Sequence, residues 1–275
     1  MINGITLFDC TLREVGYQTG WFFDPSFMRS YYRFAESVGF DYLELGFFHN
    51  PEADPHRGVL RYCSACNNEL TEIFKATKNL LKLSAMRDIQ RPLTPLLPAS
   101  ESVVDAIRIL TRSKETDLDV LARHVEEINK LGYQVWINFT SSGHNTLEMN
   151  KSFASFAAKM GVPVIYFADT ESVFTAKYVA DVIDICRSEG VEAGIHLHNK
   201  NGTAISLLNV ALAHGVKYTD TTLLGLGGKW HDGNIATESL LEMFSCNPGY
   251  ELTRLKTLLI HQLIQYHDKS AAVWQ

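Results

Sequence analysis

Eight short runs of β-branched and other apolar residues recur along this chain, each separated from the next by a longer stretch, and that alternation constrains the fold more than any single motif. The runs are Ile5–Asp9, Tyr42–Gly46, Leu80–Ala85, Ala106–Leu110, Gln134–Phe139, Val164–Asp169, Ala193–His198 and Tyr218–Leu224. Between them, apolar residues spaced three and four apart predict helices, among them Pro25–Val38, Asp117–Leu131, Leu147–Met160, Ala176–Ser188 and Ala204–Ala213. Gly39, Gly132, Gly161, Gly190 and Gly215 each follow a helical run and precede a strand, where a glycine closes a helix at no steric cost. Strand–helix repeats of this kind require parallel strands with crossover helices, and eight of them predict an α/β fold closed into a single (β/α)8 TIM barrel over residues 1–275. The tail from Pro248 onward predicts one more short helix, Leu252 to about Gln265, that covers the barrel or meets a second subunit in a homodimer.

Composition removes several classes of function. The 275 residues are 46% hydrophobic, enough for one sizeable core. The net charge is −6 and no basic stripe occurs, so neither nucleic acid nor an anionic membrane is expected as a partner. No apolar run reaches the length of a membrane span, and the first residues lack a signal-peptide pattern. Five cysteines, an odd number, suggest free thiols in the cytoplasm. Cys63 and Cys66 have redox or metal spacing but no partner pair or neighbouring histidine, and are read as structural.

A barrel places its chemistry at the carboxyl-terminal ends of its strands. Asp9, Arg13 and Glu14 follow the first strand, Glu44 nears the end of the second, Asp169 ends the sixth, and His196, His198 and Asn199 end the seventh. Asn234 and Glu238 follow the glycine loop after the eighth. Residues two apart on a strand face the same side, so His196 and His198 can share one ion. A carboxylate next to Arg13 can complete that site, and the arginine can hold charge developing on a substrate oxygen. Asn234 offers an amide oxygen. Two imidazoles with oxygen donors and no thiolate suit Mn2+ or Mg2+, and Zn2+ or Co2+ also fit. The Gly225–Gly228 stretch with Lys229 predicts a phosphate cradle or a mobile lid.

Four segments in this order, Asp9-Cys10-Thr11-Leu12-Arg13-Glu14, Tyr42-Leu43-Glu44-Leu45-Gly46, His196-Leu197-His198-Asn199 and Gly233-Asn234-Ile235-Ala236-Thr237-Glu238, resemble the DRE-TIM metallolyase superfamily. That group includes 4-hydroxy-2-oxovalerate aldolase, 3-hydroxy-3-methylglutaryl-CoA lyase, and the isopropylmalate and homocitrate synthases. The resemblance implies that Arg13 stabilises an enolate, that Glu14, His196, His198 and Asn234 hold the metal, and that Glu44 supports the arginine and the metal shell. Four positions depart from the family: Glu14-Val15 replaces Asp-Gly, Tyr17 stands where the oxovalerate aldolases carry a histidine base, and Lys229 stands where the methylglutaryl-CoA lyases carry a cysteine. The compact length implies that the C-terminal extensions of the synthases and oxovalerate aldolases are absent or minimal.

The expected activity is a divalent-metal-dependent, reversible aldol cleavage of a small-molecule 4-hydroxy-2-oxo acid. Tyr17, His49, Lys229 and His231 are candidates for the acid–base group. Phe47, Phe48, Tyr17 and Trp230 suggest an acceptor larger than acetaldehyde. A Claisen-type acyl-CoA lyase or synthase is the alternative on the same fold. A metal-dependent hydrolase fits less well, because those barrels carry the His-x-His on the first strand. A non-catalytic barrel subunit is the reading from another class.

Overall fold

The computed structural model describes the chain except residues 1, 3, 76–79, 229–232 and 272–275, and the side chains of 267–271. Eight parallel strands close into one barrel: β1 (Thr6–Asp9), β2 (Tyr42–Phe47), β3 (Lys82–Asp88), β4 (Ala106–Arg112), β5 (Gln134–Thr140), β6 (Val164–Asp169), β7 (Glu192–Leu197) and β8 (Tyr218–Thr221). Closure runs from Thr6 beside Tyr218 to Asp9 beside Thr221. Eight strands were expected and eight are found, with boundaries shifted by at most three residues. No helix is long and apolar enough to cross a membrane among the described residues.

The crossovers α2 (Pro25–Ser37), α3 (Asn67–Phe74), α4 (Leu118–Lys130), α5 (Leu147–Lys159), α6 (Ala176–Ser188) and α7 (Ala204–Ala213) bury their apolar faces on the sheet. One crossover departs from the expected repeat. Between β3 and β4 the chain carries only the one-turn 3-10 helix Ala99–Glu101, so this unit has no α-helix.

One further element was not named in the sequence reading and another differs from it. The segment after β1 is helical, an element the sequence reading did not name: α1 (Thr11–Thr19) starts at once and carries Arg13 and Glu14 in its first turn. Asp9 fixes that start, because its Oδ1 accepts the Thr11 N–H at 2.9 Å while its Oδ2 accepts the Tyr31 hydroxyl at 2.7 Å. The C-terminal helix is not short. After α8 (Thr237–Met243), α9 runs Gly249–Ala271, 23 residues, and packs on α1 and α2. Leu255 and Leu259 are buried there, and Gln262 Nε2 donates to Asp24 at the start of α2, 2.9 Å away.

Period-two alternation decides what fills the barrel. Phe8, Tyr42, Trp136 and Tyr166 form an aromatic floor, with Phe8 stacked on Tyr42 at 4.4 Å between ring centroids. Gly194 on β7 makes room for it, since a Cβ there would lie 2.6 Å from the Tyr166 ring. The Arg108 guanidinium rests over Phe8 and Tyr166, 4.7 Å from each centroid. Above this floor the inward positions turn ionic.

Candidate metal centre and active site

Glu14 from α1 and His196 and His198 from the end of β7 meet at the barrel mouth, all three buried, with their ligand atoms within 4.8 Å of one another. Asn234 pairs with His198 in an isolated bridge. His196 Nε2, His198 Nδ1 and Asn234 Oδ1 are buried without a hydrogen-bond partner among the described residues. Buried polar atoms are normally satisfied, so three orphans around one carboxylate are what a divalent cation with nitrogen and oxygen ligands would satisfy. The residues present therefore fit such an ion.

An ionic ring surrounds this cluster. Arg13 Nη1 contacts Glu14, and Arg13 Nε donates to Glu44 Oε2 at 2.8 Å. Arg108 holds both Glu44 oxygens at 2.6 Å and Asp220 Oδ2 at 2.7 Å. Asp220 Oδ2 meets His196 Nδ1 at 2.9 Å, and His196 Nε2 lies 3.2 Å from Glu14 Oε1, which closes the ring. Three carboxylates thus face two guanidinia. Buried charge needs near-complete compensation, and the surplus negative charge again favours a cation here.

The shifts follow from these contacts. Burial would raise Glu14, but Arg13 and then His196 outweigh it and hold the carboxyl far below its usual range. Burial is likewise overcome at Glu44 and Asp220, chiefly by Arg108, and both stay ionised. Burial lowers His198 to about 4, with His196 adding to the effect, so its imidazole is neutral and able to ligate. Burial would also lower His196, but its hydrogen bond to Asp220 and then the adjacent Glu14 carboxylate raise it. A carboxylate on Nδ1 fixes the tautomer that leaves Nε2 for an ion.

Arg108 and Asp220 were missed in the sequence. A signal existed: each is a charge at an inward position of a strand, a place where a charge needs a partner.

The described part of the glycine loop after β8 packs on Glu14. Gly228 N–H donates to Glu14 Oε2 at 2.8 Å, and at Gly227, where φ is +116°, a Cβ would fall 2.4 Å from the Glu14 Cβ. The longer side chain at position 14 is thus accommodated by a loop that only glycine lets approach. Gly227→Ala should weaken divalent-ion affinity by roughly 10–100-fold, the size expected for a group that orients a ligand. Titration calorimetry with Mn2+ measures it, and an unchanged affinity would argue that Glu14 is no ligand.

The other sequence candidates fall in different places. Asp169 has its pKa raised to about 6 by burial and accepts the Val173 and Phe174 N–H groups. Asn199 Oδ1 accepts the Ala204 N–H at the start of α7, and Glu238 Oε2 accepts the Leu224 N–H, so both brace loops. Tyr17 packs edge-on to Trp21, 4.9 Å between centroids, and burial raises its pKa. Burial lowers that of His49, whose Nε2 has no partner among the described residues. Lys229, Trp230 and His231 lie outside the described residues. Phe47 and Phe48 are buried. Burial pushes the Cys63 thiol up, which leaves it unreactive.

Fold and site together define a (β/α)8 barrel with a candidate divalent-metal centre and an arginine at its carboxyl-terminal mouth. The HMGL-like family model matches residues 4–265, and the chain belongs to that family, within the divalent-metal-dependent DRE-TIM metallolyase superfamily. It is 24% identical over 258 residues to 4-hydroxy-2-oxovalerate aldolase of Pelotomaculum thermopropionicum, which covers 90% of this chain and 72% of that one. A second such aldolase, from Thermomicrobium roseum, is 25% identical over 58% of this chain and 45% of its own length. A cytoplasmic 3-hydroxy-3-methylglutaryl-CoA lyase of Danio rerio is 35% identical over 31% of this chain and 27% of that one. Among solved structures, the N-terminal domain of a candidate aldolase from Bacteroides vulgatus superposes with a TM-score of 0.80 at 21% identity, covering 98% of this chain and 93% of that one. The Brucella melitensis HMG-CoA lyase gives 0.70 at 16% identity, covering 95% and 97%. These two likenesses concern the fold.

Proposed function

We propose that the chain catalyses reversible aldol cleavage of a 4-hydroxy-2-oxo acid, giving a pyruvate-type product and an aldehyde. The observation that carries this reading is Arg13 Nη2, buried and without a hydrogen-bond partner among the described residues, on the residue next to Glu14. A donor left unsatisfied in a buried site costs stability, and it is suited to an oxygen that becomes negative during reaction. When bound by Glu14, His196, His198 and Asn234, a divalent ion would supply Lewis-acid polarisation of the 2-oxo acid.

In cleavage, a base takes the 4-hydroxyl proton, the bond between carbons 3 and 4 breaks, and its electron pair moves toward the 2-oxo oxygen. Arg13 donates to that oxygen, and carbon 3 then takes a proton. His49, kept neutral by burial, has the protonation state of a base, whereas Tyr17, with its raised pKa, is suited to returning a proton. Glu44 and Arg108 hold the Arg13 guanidinium in place.

The experiment removes metal, restores Mn2+ or Mg2+, and assays pyruvate release from a panel of 4-hydroxy-2-oxo acids. Exchange of the pyruvate methyl protons in deuterated water is the partial reaction. The expected outcome is metal-dependent release and exchange, and absence of both would sink the proposal. The lyase relative supports a second reading, acyl-CoA cleavage, which saturation with acetyl-CoA would favour.

A further inference from the structure

The barrel mouth also holds a cavity of about 660 Å³ on its β2–β6 side. That is the size of a small-molecule pocket. Its wall carries Arg57, Arg61, Arg91 and Arg112 against Asp54, Asp88 and Glu171. Arg57 and Arg61 share the single carboxylate of Asp54, at 3.2 and 2.7 Å. Arg112 and Arg91 share Asp88, at 3.3 and 3.8 Å. Glu171 is taken by the Ser141 hydroxyl at 2.7 Å. The wall therefore carries four guanidinia against three carboxylates, one positive charge more than a one-to-one arrangement would leave.

Arg61 shows how this charge is held. Its guanidinium lies over Trp21 at 3.9 Å and over Phe47 at 4.7 Å, and its Nη1 is buried without a hydrogen-bond partner among the described residues. A stacked guanidinium loses little freedom when it binds, and its planar fork matches carboxylate and phosphate oxygens. Trp21 is itself fixed in the left-handed region at φ 62°, which a non-glycine residue adopts only when its surroundings demand it.

Glu14, His196 and His198 are not part of this wall. Tyr17 is, and it stands one helical turn after Glu14 on α1, so that helix carries residues of both the cavity wall and the candidate metal centre. We propose that this cavity is the subsite for the aldehyde-derived end of the substrate, and that this end carries an anionic group, a carboxylate or a phosphate. The inference rests on the aldol reading and narrows it. The acceptor suggested by aromatic residues in the sequence becomes a charged one, because Phe47 and Phe48 are buried and arginines line the space.

The test condenses pyruvate with matched aldehydes: glycolaldehyde phosphate against glycolaldehyde, and succinic semialdehyde against butanal. The charged member of at least one pair should have a kcat/KM higher by about tenfold or more, as expected for charge-assisted hydrogen bonds to arginine. The pair that responds tells phosphate from carboxylate. In R91Q/R112Q the preference should fall mainly through KM of the charged aldehyde. Both side chains are partly exposed, at 52% and 31%, and circular dichroism checks that the variant folds. Calorimetry with inorganic phosphate and with succinate reads the subsite without turnover, on wild type and variant.

Pyruvate proton exchange without any charge preference would overturn the inference and leave the aldol reading standing. No exchange, but anion binding that the double variant loses, would keep the cationic subsite and remove the aldol reading. Failure of wild type to bind either anion, or turnover of a CoA thioester with none of the aldehydes, would overturn the subsite as assigned.

Discussion

Replacing Arg108 with leucine is expected to destabilise the protein by about 3–5 kcal/mol, the cost of stranding buried charges by removing one partner of an ion pair. Arg108 is fully buried and is shared by Glu44 and Asp220, so the variant leaves two carboxylates over an aromatic floor. The melting temperature should drop on the order of 10 °C. The effect has a pH signature. In the wild type both carboxyls titrate below their ordinary values of 4.5 and 3.8, so their stabilisation is present above those values and is lost as pH falls through the lower folded pKa values. In R108L burial acts unopposed by this arginine and raises the carboxyls, so the variant's penalty is largest near neutrality and shrinks as pH falls toward 4. The gap between wild-type and variant unfolding free energies, measured by denaturant from pH 7 to 4, should therefore narrow. A constant gap would mean that Arg108 acts through packing alone. Adding E44Q should cost less than the sum of the single changes, because the groups share one network.

The barrel could be read from the sequence because closure of a parallel sheet imposes a repeated pattern of strand, helix and glycine, and each repeat reinforces the next. The helix that follows β1 was not among those read from the sequence. The pattern there is obscured, because Arg13 and Glu14 are buried polar residues on the face where apolar ones mark a helix. The β3–β4 crossover failed in the other direction: strand spacing alone cannot tell a helix from an extended loop of similar length. The cluster of Glu14, His196 and His198 was legible because strand alternation puts the two histidines on one side. Arg108 and Asp220 were not, since pairing across β4 and β8 is a long-range fact that local pattern does not carry. The loop around Gly227 was legible as glycine-rich but not in purpose. Its need for glycine comes from contact with Glu14, a residue more than two hundred positions away.

His198→Ala is the change that should separate structure from chemistry most sharply. His198 Nδ1 has no hydrogen-bond partner among the described residues, so the fold spends little on this side chain. The metal-free variant should unfold within about 1 kcal/mol of the metal-free wild type, because a buried unsatisfied polar group is itself a cost and its loss offsets the packing that is removed. With Mn2+ the two should diverge. An ion that binds only the folded state stabilises it by mass action, about 2.7 kcal/mol at a hundred times Kd. Wild type should show that rise in Tm, and H198A should show almost none at the same concentration. Loss of a direct ligand should exceed the roughly 10–100-fold cost of losing a group that only orients one, so proton exchange into pyruvate should fall below detection. A variant that keeps its Mn2+-induced rise in Tm but loses exchange would place His198 on the substrate instead of the ion. One that keeps both would remove it from the site and leave Glu14, His196 and Asn234 as the donor set to test.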